Sequence, residues 1–355
     1  FALSLDRLNP DDPADALALA LLQRAACFAP GEPIPRGLLI ATLKSEKPNF
    51  WRTIRRFFRT QQSISPEPKD ALHRLIELGL LDEADDGPVQ MHRLLAAFVG
   101  QAGEAVDAVE KAVIAEAYRL NVAGDPRMIL AWQFHLHHLT DSAFNRQDNQ
   151  AATLANELGY HLKAQGDLAG ARPYYERALG IREEVLGPRH PDTALSLNNL
   201  GYLLQALGDL AGARPYYERA LGIREEVLGP RHPDTARSLN NLGYLLQAMG
   251  DLAGARPYYE RALGIREEVL GPRHPDTAGS LNNLGGLLQA LGDLAGARPY
   301  YERALGIREE VLGPRHPDTA RSLNNLGYLL QALGDLAGAR PYYERALGIR
   351  EEVLG

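Results

Sequence analysis

Residues Ser196–Ala236 read SLNNLGYLLQALGDLAGARPYYERALGIREEVLGPRHPDTA, and the same string returns almost letter for letter from Ser238, Ser280 and Ser322. Its marker glycine falls at Gly208, Gly250, Gly292 and Gly334, a period of 42 residues. A divergent first copy runs from Ala151 through Gly166 to Pro191. Self-similarity at such a period marks a repeat architecture, in which each unit has an apolar face that only its neighbours can bury.

Each period predicts two helices, one from Asp192 to about Leu207 and one from Leu210 to about Leu228, joined by a turn at Gly208-Asp209. Asp192 and Asp209 are placed for their carboxylates to accept orphan N–H groups at the two helix starts. Gly229-Pro230 closes the second helix, because glycine tolerates a left-handed backbone and proline cannot continue the ladder. Pro215 and Gly222 predict a mild kink in that helix. The small residues Gly201, Ala213 and Ala220 mark close helix crossings, and Leu197, Leu200, Leu204 and Tyr217 supply the interlocking apolar face. The predicted fold is mostly α, a solenoid of five helical hairpins over 151–355 with a concave groove lined by the first helices.

The spacing of Leu, Gly and Leu followed by Ala, Tyr and Ala resembles the tetratricopeptide repeat. The longer period with HPDTA, LNNLG and YYERALGIREEVLG is similar to its kinesin-light-chain variety. The resemblance covers 151–355 and implies binding of an extended or helical segment of a partner protein in the groove.

Among near-identical copies, the positions that vary are the informative ones. The main ones are Leu195, Arg237, Gly279 and Arg321 at one site, and Tyr202, Tyr244, Gly286 and Tyr328 seven residues on. Two helical turns separate the sites, so they share a face. The same helix carries the pairs Asn198 and Asn199, Asn240 and Asn241, Asn282 and Asn283, and Asn324 and Asn325. An amide both donates and accepts, so these pairs have two readings. In one, they hold the main chain of a ligand while Tyr and Arg choose its side chains; in the other, one Asn of each pair ties neighbouring hairpins together.

Residues 14–101 have a different texture. Helices are predicted at Ala14–Ala26, Pro35–Thr42 and Asp70–Leu78, then a ribbon of Leu80–Glu83 and Val89–Met91 around Asp86-Gly87-Pro88, and a helix from about Arg93. Helices followed by a two-stranded ribbon predict a winged helix. DNA binding is disfavoured, since the segment DALHRLIELG offers one Arg and one His against Asp70 and Glu77, whereas phosphate neutralisation needs clustered cations. The stretches LLQRAACFAPGEPIP and LIELGLLDEADDGPVQMHRLLAAF resemble the winged-helix domain of STAND signalling ATPases, relatives of NB-ARC and NLR proteins. In that family a Met-His-Asp motif senses bound ADP through its His, which places the role on Met91 and His92, with Arg93 replacing the Asp. The other reading of His92 is a strand-end histidine with no ligand.

No G-x-x-x-x-G-K-[ST] phosphate loop occurs in the sequence, so the chain itself is expected to have no cofactor and no ATPase activity. The resemblance implies a nucleotide-binding domain upstream, taking ADP or ATP with Mg. The chain starts at Phe1 without Met, which fits an excised piece, and its last helix ends uncapped, which predicts end-to-end association. The expected layout is a winged-helix domain over 1–101, a helical linker arm over 102–150 and repeats over 151–355. Together these predict the ligand-sensing part of a STAND switch, or alternatively a passive scaffold for protein–protein interaction.

Composition narrows the remaining classes. A formal charge of -7 lacks the basic footprint of a nucleic-acid binder, and the single cysteine, Cys27, excludes an internal disulfide framework and points to a reducing cytoplasm. No apolar stretch approaches a membrane span. The basic aromatic stretch Phe50–Arg59 fits a membrane or nucleic-acid contact, or an insertion helix packed on a core. His135, His137 and His138 have no carboxylate set beside them and read as a packed helix end near Trp132 rather than a zinc site. His190-Pro191-Asp192 repeats as a helix-starting loop, which makes it a cap and not a catalytic tripeptide.

Overall fold

The computed structural model describes residues 2–45, 67–83, 87–100, 103–123 and 127–354, which contain eighteen α-helices and one two-stranded sheet. The predicted stretch Phe50–Arg59 lies outside the described residues. The chain divides into two compact units, Phe1–Val185 and Leu186–Gly355. Among the described residues no helix is long and apolar enough to cross a membrane.

In the first unit, helix Pro13–Ala25 starts on Asp12, whose Oδ1 accepts from the N–H groups of Ala14 and Asp15. It buries Leu17, Leu21 and Leu22 and packs on helix Pro68–Glu77. Between them comes helix Arg36–Ala41. Strands Asp82–Glu83 and Val89–Gln90 pair antiparallel, and Ile34 exchanges two backbone hydrogen bonds with Val89, at 2.7 and 2.9 Å. The order is thus helix, bridge, two helices and ribbon, followed by helix Arg93–Val99.

The segment expected as a linker forms helices Gly103–Ala123, Arg127–Leu130 and Gln133–Ser142. It is not a separate arm. The first hairpin, Asn149–Ala164 with Leu168–Val185, packs on helices Gly103–Ala123 and Gln133–Ser142 and so belongs to this unit. Arg146 fixes the joint, with its guanidinium bidentate on buried Glu110 at 2.6 and 3.0 Å and closed by Asp148.

His135 is 1% exposed, its ring edge-on to Phe28. Its Nδ1 accepts from Ala29 N–H at 3.0 Å, so the neutral ring must donate from Nε2 to the Pro33 carbonyl at 2.8 Å. Burial holds His135 below the usual histidine range, and does the same to His138 and His161. As pH falls through about 6.5 the unfolded chain therefore takes up protons that the folded unit resists, and stability is lost. The first unit is expected to melt at a lower temperature at pH 5 than at pH 7, with a flatter dependence in His135→Gln; thermal scans across that range, with pH-independent melting as the contrary result, check this.

The second unit stacks four hairpins. Their first helices are Pro191–Ala206, Pro233–Ala248, Pro275–Ala290 and Pro317–Ala332, and their second helices are Leu210–Val227, Leu252–Val269, Leu294–Val311 and Leu336–Leu354. The first helix starts differently from the expectation. The cap is His190, whose Nδ1 accepts from Asp192 N–H at 3.1 Å, with Pro191 as the first helical residue; Asp192 does not cap. Proline lacks the N–H that would otherwise be orphaned there, so the ring nitrogen satisfies the next donor. Asp209 caps the second helix as expected, accepting from Gly212 N–H at 2.8 Å after Gly208 at φ 84°. Each second helix is continuous through its proline.

Within a hairpin the helices meet through a close approach. A Cβ on Gly243 would lie 3.0 Å from the ring of Tyr259, which is 0% exposed, and the same pairing joins Gly201 to Tyr217 and Gly285 to Tyr301. Each second helix then packs on the next first helix. Successive first helices touch, while the second helices approach one another less closely and are bridged by ion pairs between long side chains, such as Arg261 to Glu225 at 2.6 Å. The first helices therefore line the inner side of this stack.

Candidate functional site

The first helices divide their residues between two faces. On helix Pro191–Ala206, Thr193, Ala194, Ser196, Leu197, Leu200 and Leu203 are buried. Leu195 and Asn199 are half-buried, and Tyr202 is 51% exposed. These three positions fall on one face of the helix. The matching positions on the following helices are Arg237, Asn241 and Tyr244; Gly279, Asn283 and Gly286; and Arg321, Asn325 and Tyr328. Tyr244 and Tyr328 are 58% and 61% exposed, and large aromatics so exposed at one repeated register mark a surface that contacts something.

The two asparagines of each pair have different positions. Asn198, Asn240 and Asn282 are buried, and Asn324 is half-buried. Asn198 Nδ2 donates to the Ala194 carbonyl and to Ser238 Oγ of the next hairpin; Asn240 does the same to Ala236 and Ser280, and Asn282 to Ala278 and Ser322. Their Oδ1 atoms accept from Asn241, Asn283 and Asn325 at 3.1 to 3.2 Å. The first asparagine is thus a tie between hairpins and is withdrawn from the groove, because its position falls on the buried arc of the helix. The second stays on the inner face while donating backwards.

A further group joins these ties, and the sequence pattern did not disclose it. Arg224, from the second helix of one hairpin, donates Nη1 to the Asp234 carbonyl at 3.1 Å and to Ser238 Oγ at 2.8 Å. Arg308 repeats this on Asp318 and Ser322. Both are 2% exposed, and burial, with Arg237 or Arg321 nearby, lowers each to a pKa of about 10. The available signal was the invariant arginine of GIREEV, one turn beyond buried Leu221.

Arg237 and Arg321 pair with Asp234 and Asp318 at 3.0 and 3.1 Å, three residues earlier on the same helix. Such exposed pairs contribute little to stability and leave the side chains adaptable. In the first unit, Met91 is 2% exposed in the core, while His92 is exposed and caps helix Arg93–Val99, its Nδ1 accepting from Leu94 N–H at 3.2 Å. The two neighbours face opposite ways. Among the described residues no group of His, Cys, Asp and Glu could hold a metal ion.

The tetratricopeptide repeat model matches residues 150–226, 195–268, 234–305 and 276–352, windows that together span more than half of the chain. The chain belongs to the tetratricopeptide repeat family. BtubC (BKLC) from P. vanneervenii is a solved relative at 25% identity and a TM-score of 0.51, covering 69% of this chain and 92% of that one. The kinesin light chain nearly identical TPR-like repeats of Podosopora anserina are 24% identical, with a TM-score of 0.49 and coverages of 56% and 94%. The apo form of RapI, at 13% identity and a TM-score of 0.56 over 86% of this chain and 98% of that one, shares the fold. No curated protein matches. Kinesin-light-chain repeats are among the similar structures, and the tetratricopeptide match itself begins at residue 150.

Proposed function

We propose that the tetratricopeptide stack is a protein-interaction scaffold that seats an extended segment of a partner along the inner face of its first helices. The observation that carries this reading is the placement of variation. In hairpins otherwise nearly identical, the changes from Leu to Arg and Gly at 195, 237, 279 and 321, and from Tyr to Gly at 202, 244, 286 and 328, fall on the one exposed face of the first helices. Exposed aromatic and arginine side chains on a rigid scaffold are the residue types that anchor partners. The half-buried asparagines between them add amide groups that suit a peptide backbone.

The test is site-specific crosslinking. Random peptides are selected on the full chain, and a photoreactive residue is then placed at Tyr244 or at Arg256, which is exposed on a second helix. Crosslinking from 244 alone is expected. Crosslinking from 256 alone, or failure to select any peptide, removes the reading.

A second reading adds a nucleotide switch upstream, the repeats then being its sensor. It is supported by the order of helix, bridge, two helices and ribbon in the first unit, and by exposed His92 at a helix start beside the ribbon. On this reading His92 would contact the phosphates of ADP held by an upstream domain, and the lone thiol Cys27 fits a reducing cytoplasm. The encoding sequence decides: a phosphate loop ahead of Phe1 supports the switch, and its absence leaves the scaffold. The purified chain is expected to turn over no ATP, and measured turnover contradicts that.

A further inference from the structure

The third hairpin of the second unit is the odd one, because both variable positions of its first helix are glycine, Gly279 and Gly286. Seven residues along a helix span about 10 Å, so the inner face has a gap about two turns long. Its walls are Tyr244 on one neighbouring first helix and Tyr328 on the other, both exposed.

The gap changes what lies beneath it. Arg266 occupies the place of Arg224 and Arg308, donating Nη1 to the Asp276 carbonyl at 2.7 Å and to Ser280 Oγ at 3.1 Å. Its counterparts are sealed, but Arg266 is half-buried. The reason is local: a Cβ on Gly279 would lie 3.6 Å from Arg266 Nη1, so the missing side chain is the one that elsewhere covers this guanidinium. At the other end, a Cβ on Gly286 would lie 3.4 Å from the Tyr301 hydroxyl.

The acceptors that Arg266 has are neutral, and its Nε is buried without a partner. Burial lowers its pKa, opposed by the Asp276 charge and reinforced by Arg237. The flanking arginines are closed by their own carboxylates, Arg237 on Asp234 and Arg321 on Asp318. With glycine at 279, Asp276 lacks such an arginine, and its side chain is 59% exposed. A cation held half out of water gains more from an opposite charge than a hydrated surface carboxylate does.

We propose that the gap over Gly279 and Gly286 is a specificity pocket for an acidic side chain of the bound segment, whose carboxylate pairs with the Arg266 guanidinium. This rests on the groove reading above. The test selects random peptides on the full chain and compares their affinity for Gly279→Arg and Arg256→Ala, the second a change on an outer helix face. Arginine already occupies the equivalent position at 237 and 321, so Gly279→Arg keeps the fold while closing the window.

Selected peptides are expected to be enriched in Asp and Glu and to bind Gly279→Arg about tenfold to a hundredfold more weakly. They are expected to bind Arg256→Ala, which lies on a second helix away from the groove, as tightly as the parent. Peptides without acidic enrichment, peptides rich in Lys and Arg, equal binding to Gly279→Arg, or an equal loss in both variants would each overturn the pocket while leaving the groove. Failure to select any peptide would sink both.

Discussion

Replacing Tyr259 with alanine is expected to destabilise the second unit by about 3–5 kcal/mol, the usual range for removing a fully buried aromatic. Tyr259 is 0% exposed, its ring lies against Gly243 where even a Cβ would be 3.0 Å away, and its hydroxyl donates to Gln247 Oε1 at 3.0 Å. Nothing nearby is shaped to collapse into the space, because the glycine opposite has no side chain to extend. In a stack where each hairpin touches only its neighbours, stability is a sum of local and interface contributions. Damage in the middle should therefore split unfolding into separate transitions. Urea denaturation followed by hydrogen exchange reads both effects; a loss below about 1 kcal/mol with one sharp transition would show that the tyrosine is not the inner support claimed for it.

The hairpins were legible because the signals that define them are local. The period, the Gly208 turn, the Asp209 cap and the Gly229 stop each depend on a few adjacent residues, and each is found in place. What the sequence concealed depends on what packs across hairpins. Asn198 and Asn199 are adjacent letters of the same type, yet a rotation of one residue sends the first into the interface with Ser238 and leaves the second on the inner face. His190 and Asp192 compete for the same cap, and the choice turns on where the chain enters the helix after Gly187. The buried Arg224 looked like one more surface charge in GIREEV, because its acceptors, Asp234 and Ser238, belong to the next hairpin. The repeats do start near 150, but the packing of their first helix, Asn149–Ala164, on Gly103–Ala123 is tertiary and leaves no local mark.

Converting Tyr202, Tyr244 and Tyr328 together to alanine is expected to weaken peptides selected on the full chain by more than about a hundredfold, without lowering the melting temperature. The separation of the two effects follows from the molecule's own comparison. Gly286 already carries no side chain at this position, and helix Pro275–Ala290 keeps the same bounds, the same His274 cap and the same tyrosine contact through Gly285 as its neighbours. Alanine favours a helix more than glycine does, so the triple change should not loosen these helices. Interface tyrosines, by contrast, often contribute about 2 kcal/mol or more each when truncated, and these three lie at one register of the same inner face, Tyr202 and Tyr244 on neighbouring first helices and Tyr328 beyond the Gly286 gap. Their effects need not add, but even the two strongest would pass a hundredfold. Isothermal titration of the selected peptides beside a thermal scan measures both quantities. Unchanged affinity would place the binding surface elsewhere, and a large drop in melting temperature would mean that the tyrosines serve the stack rather than its partner.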